Sequence, residues 1–105
     1  MDQNVIEIAE RFAEKVKSYI PVKMIVIYGS YLKGTADENS DIDIAVVVDN
    51  IEGDYLKISA ELFNLVRGIN KKIEPILLST KKDKSGFLEN ILKHGKIVYK
   101  SEEWE

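Results

Sequence analysis

The spacing of apolar residues changes along the chain, and each change marks an element. Over residues 4–20, Val5, Ile8, Ala9, Phe12, Val16, Tyr19 and Ile20 recur at the interval of one helical face. Asn4 followed by Glu7 is read as an N-terminal capping arrangement, and Pro21 as the stop. Met24 to Tyr28 is apolar or aromatic on both parities, which predicts a strand that is central or covered on both faces. After Gly29-Ser30, the residues Tyr31 to Lys33 are expected to form a short helix that Gly34 ends. The polar loop Thr35 to Ser40 then opens onto a second strand, with Ile42, Ile44, Val46 and Val48 on one parity. Asp41, Asp43, Ala45 and Val47 occupy the other.

The second half repeats the alternation. A turn over 49–54 precedes a helix whose core face is traced by Tyr55, Ile58, Leu62, Val66 and Ile69, with Phe63 and Leu65 alongside and Gly68 and Asn70 near its end. Lys71 to Leu78 follows as a strand, and Pro75 argues for an edge position or a bulge within it. Residues 81–84, Lys-Lys-Asp-Lys, are expected to be a solvated connection. Phe87, Leu88, Ile91 and Leu92 predict a last helix stopped at His94-Gly95, and Ile97-Val98-Tyr99 a final short strand. Together these elements predict a small two-layer α+β domain, a mixed sheet of three to four strands with helices packed mainly on one face.

Candidate chemistry gathers between Met24 and Val48. Glycine at 29 lets the backbone turn sharply and approach a ligand, and Ser30 adds a hydroxyl and an N–H. Taken alone, Gly-Ser is also an ordinary turn dipeptide. Asp41 and Asp43, two apart on a strand, project from one face with Cα atoms roughly 6.5 Å apart, close enough to share a divalent cation. A capping Asp41 and a solvated Asp43 would fit the same residues. Glu74 stands in an otherwise apolar strand, so it is at an edge, paired with lysine, or facing a cation. A like-charged pair at 4 Å costs ~1 kcal/mol in water and about 4 kcal/mol at an effective dielectric of 20, so three converging acids are tolerable mainly with cations among them. Oxygen-only donors suit Mg²⁺ or Mn²⁺. Ser40 is either a phosphate contact or a turn serine. Asp37 and Glu38 are read as solvated loop acids, and His94, beside a helix-ending glycine, as structural.

Gly29-Ser30, ten intervening residues, then Asp41-x-Asp43 and a later strand acid resemble the polymerase-beta-like nucleotidyltransferase superfamily. The likeness is greatest to its minimal MNT-type domains, found as antitoxins beside HEPN-domain toxins, and the closing segment Ile91 to Tyr99 also looks like the end of those domains. The resemblance implies a metal-dependent enzyme that moves a nucleotidyl group, AMP from ATP, onto a hydroxyl. It implies Asp41, Asp43 and Glu74 as catalytic residues and ligands of two Mg²⁺ or Mn²⁺ ions, and Gly29, Ser30, Lys33 and Ser40 as nucleotide contacts. Two departures stand out. Tyr31-Leu32-Lys33 occupies the place where an arginine is usual, and Glu74 replaces the usual aspartate.

Length and composition narrow the remaining choices. At 105 residues and 45% hydrophobic content, the chain is expected to form one domain over 1–105. The formal net charge of −3 lacks the basic footprint of a nucleic-acid binder. With no cysteine there is neither a disulfide framework nor a thiolate metal site. No apolar run approaches the ~20 residues of a membrane span and Met1-Asp2-Gln3-Asn4 has no basic leader start, which leads to the expectation of a soluble cytoplasmic protein. So short a chain has little surface for its own acceptor pocket. The favoured acceptor is therefore a tyrosine of a HEPN-type toxin, an expectation resting on fold kinship. A second reading is a binding module that neutralises its toxin by complex formation alone. A third, modification of a small molecule, needs an added domain or a dimer, and self-association stays open. The acidic tail with Trp104 either anchors a partner or folds back.

Overall fold

The computed structural model describes residues 3–34, 36–37, 39–51, 53–81 and 85–102, without the side chains of Leu32 and Lys33. The readings of Thr35, Glu38 and Glu52, of Lys82 to Lys84, and of the tail from Glu103 through Trp104 lie outside the described residues. In order, the elements are α1 (Gln3–Tyr19), β1 (Met24–Tyr28), α2 (Ser30–Lys33), β2 (Ile42–Val48), α3 (Tyr55–Val66), β3 (Ile73–Ser79), α4 (Phe87–His94) and β4 (Lys96–Lys100). Helix α1 already includes Gln3 and Asn4, so Asn4 lies within the first turn and does not cap it from outside. Gly34 caps α2 at φ 74°, a left-handed conformation that glycine adopts without penalty.

The four strands form one mixed sheet in the order β3-β2-β1-β4. β1 is central and pairs antiparallel with β2 and β4, which explains why both of its parities are apolar and buried. β2 and β3 run parallel, a connection too long for a hairpin, and α3 makes the crossover. β3 is an edge strand in unbroken register with β2 from Ile42↔Ile73 to Val48↔Ser79. Pro75, which cannot donate to a ladder, therefore marks an edge and not a bulge.

Strand parity divides the core. Ile25, Ile27, Ile42, Ile44, Val46, Ile73 and Leu77 face α1 and α3, where Val5, Phe12, Val16, Leu62 and Val66 complete the larger cluster. The other sheet face carries Met24, Val26, Ala45 and Val47, which cluster with Leu88 and Ile91 of α4 and with Leu92 packed beside them. That face also carries Tyr28, Ile76 and Leu78 as partly buried residues. Gly95 lets β1 pass close to the end of α4, since a Cβ there would strike Val26 and the Ile91 and Ile27 carbonyls. Two residues assigned to the core face of α3 are outside it. Phe63 is exposed, and Tyr55 is exposed with its hydroxyl donating to the Leu77 carbonyl at 3.3 Å.

Phe12 is fully buried at the centre of the larger cluster, so Phe12→Ala should lower unfolding stability by about 3–5 kcal/mol. Urea denaturation should return that loss, whereas Glu10→Ala on the exposed side of α1 should stay within about 0.5 kcal/mol of the parent.

Candidate active site

Backbone register builds the site. Tyr28 on β1 pairs with Asp43 on β2, and Asp43 pairs with Glu74 on β3. Three neighbouring strands thus carry a tyrosine, an aspartate and a glutamate in one row across the sheet. All three stand on the α4 face of the sheet, in parity with Val26, Val47 and Ile76, with Glu74 exposed. Asp41 is exposed immediately before β2 and the strand itself starts at Ile42, whose amide donates to the Lys72 carbonyl at 2.7 Å.

Electrostatics follow from this crowding. Burial raises the Asp43 carboxyl above its ordinary value of 3.8, and the Asp41 charge raises it further. Glu74 is raised first by a side-chain hydrogen bond with Asp41, then by desolvation and by the charges of Asp41 and Asp43. The Tyr28 hydroxyl is pushed up to about 12, by burial first and then by Asp43 and Glu74, so it remains a neutral phenol. Its ring meets Phe87 edge-on, with centroids 5.7 Å apart. Nothing in the spacing of the sequence marked Tyr28 as a neighbour of the acids. Its parity with Met24 and Val26 was visible, but the partner strand was not.

The glycine turn closes the other side. Gly29 has φ 81°, and a Cβ at this position would collide with the Asp43 carboxylate. The turn and the second aspartate therefore pack directly together. Ser30 opens α2. Ser40 belongs to the loop: its hydroxyl accepts from the Asp37 amide at 3.0 Å and reaches Asp37 Oδ1 at 3.4 Å, while the Asn39 amide donates to the same carboxylate at 2.8 Å. The turn-serine alternative describes this arrangement. The Lys33 side chain lies outside the described residues. His94 is exposed in the last turn of α4.

The donor set is chemically suited to a hard divalent cation: carboxylate oxygens only, held at an open rim where their mutual repulsion needs an opposite charge. As the side chains stand, no group of three or more His, Cys, Asp or Glu among the described residues is arranged to hold a metal ion. The residues fit the ion by type and by strand position, with side-chain adjustment required. A cavity of about 620 Å³ lies at the opposite ends of β1 and β2, between Lys17, Val22, Val48 and Tyr99. No helix among the described residues is long and apolar enough to cross a membrane.

Comparison with known proteins places this geometry in a wider group. The family described as "Polymerase beta, Nucleotidyltransferase" matches residues 10–104. A relative from Methanocaldococcus jannaschii, named "Putative protein adenylyltransferase MJ0604", is 36% identical over 80 residues, covering 74% of this chain and 79% of its own. A crystal structure from Sulfolobus solfataricus superimposes with a TM-score of 0.72 at 23% identity, over 96% of this chain and 85% of that one, a likeness of fold. A crystal structure of a toxin-antitoxin with AMP-PNP superimposes with a TM-score of 0.66 at 25% identity, over 89% of this chain and 74% of that one.

The raised Asp43 carboxyl gives a stability prediction with a definite sign. Folding makes this group harder to ionise, so its ionisation lowers stability as pH rises from 3.8 through the raised folded value, and the full loss stands at pH 7. Asp43→Asn should therefore have a higher urea midpoint than the parent at pH 7. The gap should close as pH falls below 3.8, where Asp43 is protonated in both states. Parallel denaturation curves at the two pH values check this.

Proposed function

Because the chain belongs to the polymerase beta nucleotidyltransferase family, whose reaction is nucleotidyl transfer, we propose that it is a divalent-metal-dependent protein adenylyltransferase acting on a partner toxin. The observation that carries the reading is the row Tyr28–Asp43–Glu74, with Asp41 and the Gly29 turn beside it, at an uncovered end of the sheet. The name of the M. jannaschii relative supports adenylyl transfer, and the toxin-antitoxin with AMP-PNP supports a nucleotide and a toxin as the two substrates.

In this reading the acceptor hydroxyl attacks the α-phosphorus of ATP. A new P–O bond forms, the bond to the β-phosphate oxygen breaks, and pyrophosphate leaves. Gly29 lets the main chain approach the outer phosphates, and Ser30 offers its hydroxyl and amide to them. The Asp37–Ser40 turn sets the path by which the chain enters Asp41. Lys33, by its place in the sequence, supplies a positive charge near the phosphates. Glu74, whose carboxyl is raised, is suited to take the proton of the acceptor hydroxyl. Asp41, Asp43 and Glu74 would hold Mg²⁺ or Mn²⁺, which when bound supplies charge neutralisation on the phosphates and lowers the pKa of the hydroxyl. The exposed Asp41 and Glu74 suit an acceptor that arrives on another folded protein, by family resemblance a tyrosine of a HEPN-type toxin.

Co-expression with a HEPN-type toxin should add roughly 330 Da per transferred AMP to the toxin, read by intact-mass spectrometry. Asp43→Asn should reduce the rate of transfer by more than about 100-fold. Gly29→Ala, which pushes against Asp43 and needs a positive φ, should do the same. An unmodified toxin in ATP-replete cells would remove the proposal. The lysine-only Tyr31-Leu32-Lys33 segment and the glutamate at 74 favour one other reading, a catalytically silent antitoxin that acts by complex formation. Calorimetry separates the two: tight toxin binding without measurable Mg²⁺-ATP affinity selects the silent one.

A further inference from the structure

Asp41 precedes β2, so its place beside Asp43 depends on what holds the residues on either side of it. After it, the Ile42 amide donates to the Lys72 carbonyl at 2.7 Å and ties the chain to the start of β3. Before it, Ser40 and Asp37 hold each other through three contacts. The Ser40 amide donates to the Asp37 carbonyl at 3.1 Å, and the Ser40 hydroxyl accepts from the Asp37 amide at 3.0 Å and lies 3.4 Å from Asp37 Oδ1. The same Oδ1 accepts from the Asn39 amide at 2.8 Å. From α2, the Tyr31 hydroxyl donates to the Asp37 carbonyl at 3.5 Å, a longer contact. Asp37, an acid that the sequence presents as merely solvated, is therefore the node of this turn.

We propose that Asp37 is a positioning residue for Asp41, acting through Ser40, in the metal-dependent transfer proposed above, on which this inference rests. Asp41 is exposed and stands near the like-charged Asp43, so without a tether its segment gains by moving away. A divalent cation then finds the two aspartates together in only a fraction of the molecules, and its apparent affinity falls by that fraction. Fastening Ser40 on one side and Ile42 on the other raises the fraction before any ion arrives. The role belongs to the Asp37 side-chain oxygen as an acceptor for the turn, and not to its charge. Asparagine supplies the same acceptor in turns of this kind, whereas alanine leaves the Asn39 amide without it.

Calorimetric titration with Mn²⁺, in the presence of ATP and without an acceptor, reads the effect where nothing turns over. Asp37→Ala should weaken Mn²⁺ binding roughly five-fold with unchanged circular dichroism, while Asp37→Asn should stay within about two-fold of the parent. Ser40→Ala should weaken it to a similar degree, and the double variant Asp37→Ala with Ser40→Ala should fall well short of the product of the two losses, because both remove one turn. With acceptor present, Asp37→Ala should raise KM for Mg²⁺-ATP by the same factor and leave kcat within about two-fold. Parent-like binding by Asp37→Ala overturns the role. So does an Asp37→Asn variant as weak as Asp37→Ala, which would make charge the cause. Losses that multiply in the double variant overturn it as well, and give Ser40 a ligand contact of its own. A parent that binds no Mn²⁺ with ATP is a different failure: it removes the metal-dependent reading itself, and this role with it.

Discussion

Main-chain pairing across β1, β2 and β3 imposes a cost that the rest of the molecule accommodates. Hydrogen bonding between β2 and β3 sets Asp43 beside Glu74, and Asp41 stands just before β2, so Asp43 cannot withdraw without breaking the ladder and Asp41 is held close by it. Left in water the carboxyls would drift apart, but in this frame burial and neighbouring charge raise Asp43, a side-chain contact with Asp41 and burial raise Glu74, and burial with the charges of Asp43 and Glu74 raises Tyr28. Such an arrangement persists only because the two buried clusters on either side of the sheet hold the strands. Stability is supplied mainly by α1 and α3 on one face, and the strain of like charges is placed at the open end of the other.

Much of this was legible from periodicity. The strands at 24–28 and 42–48 and the short helix before Gly34 follow directly from apolar spacing and glycine placement. Convergence of Glu74 with the aspartates was expected from the chemistry of a lone acid in an apolar strand; the register sets Glu74 beside Asp43. Pairing partners were beyond reach, since a strand's alternation specifies its faces and not its neighbours. Hence Tyr28 went unnoticed as part of the site, and Pro75 was compatible with both an edge and a bulge. Asn4 misled because a capping signal one residue inside a helix has the same spelling as one at its start.

The exposed face of α3 shows the same limit from the other side. Phe63 fits an amphipathic pattern as well as Leu62 does, because a broad apolar arc looks alike whether the fold covers all of it or half. Only packing against the sheet reveals which part is left over. The acids stand on the sheet face opposite the one that α3 covers.

Pro75 has a further consequence for how this protein ages in a crowded solution. Apart from Glu74 and Pro75, the outer border of β3 is aliphatic, of the kind that can accept a stray strand. A proline in its middle removes one donor from that border, and at the far border Lys96 and Lys100 bracket β4 with charge. The sheet is guarded at both margins against templating its own polymerisation, so the protein can keep a strongly apolar interior without becoming an amyloid nucleus.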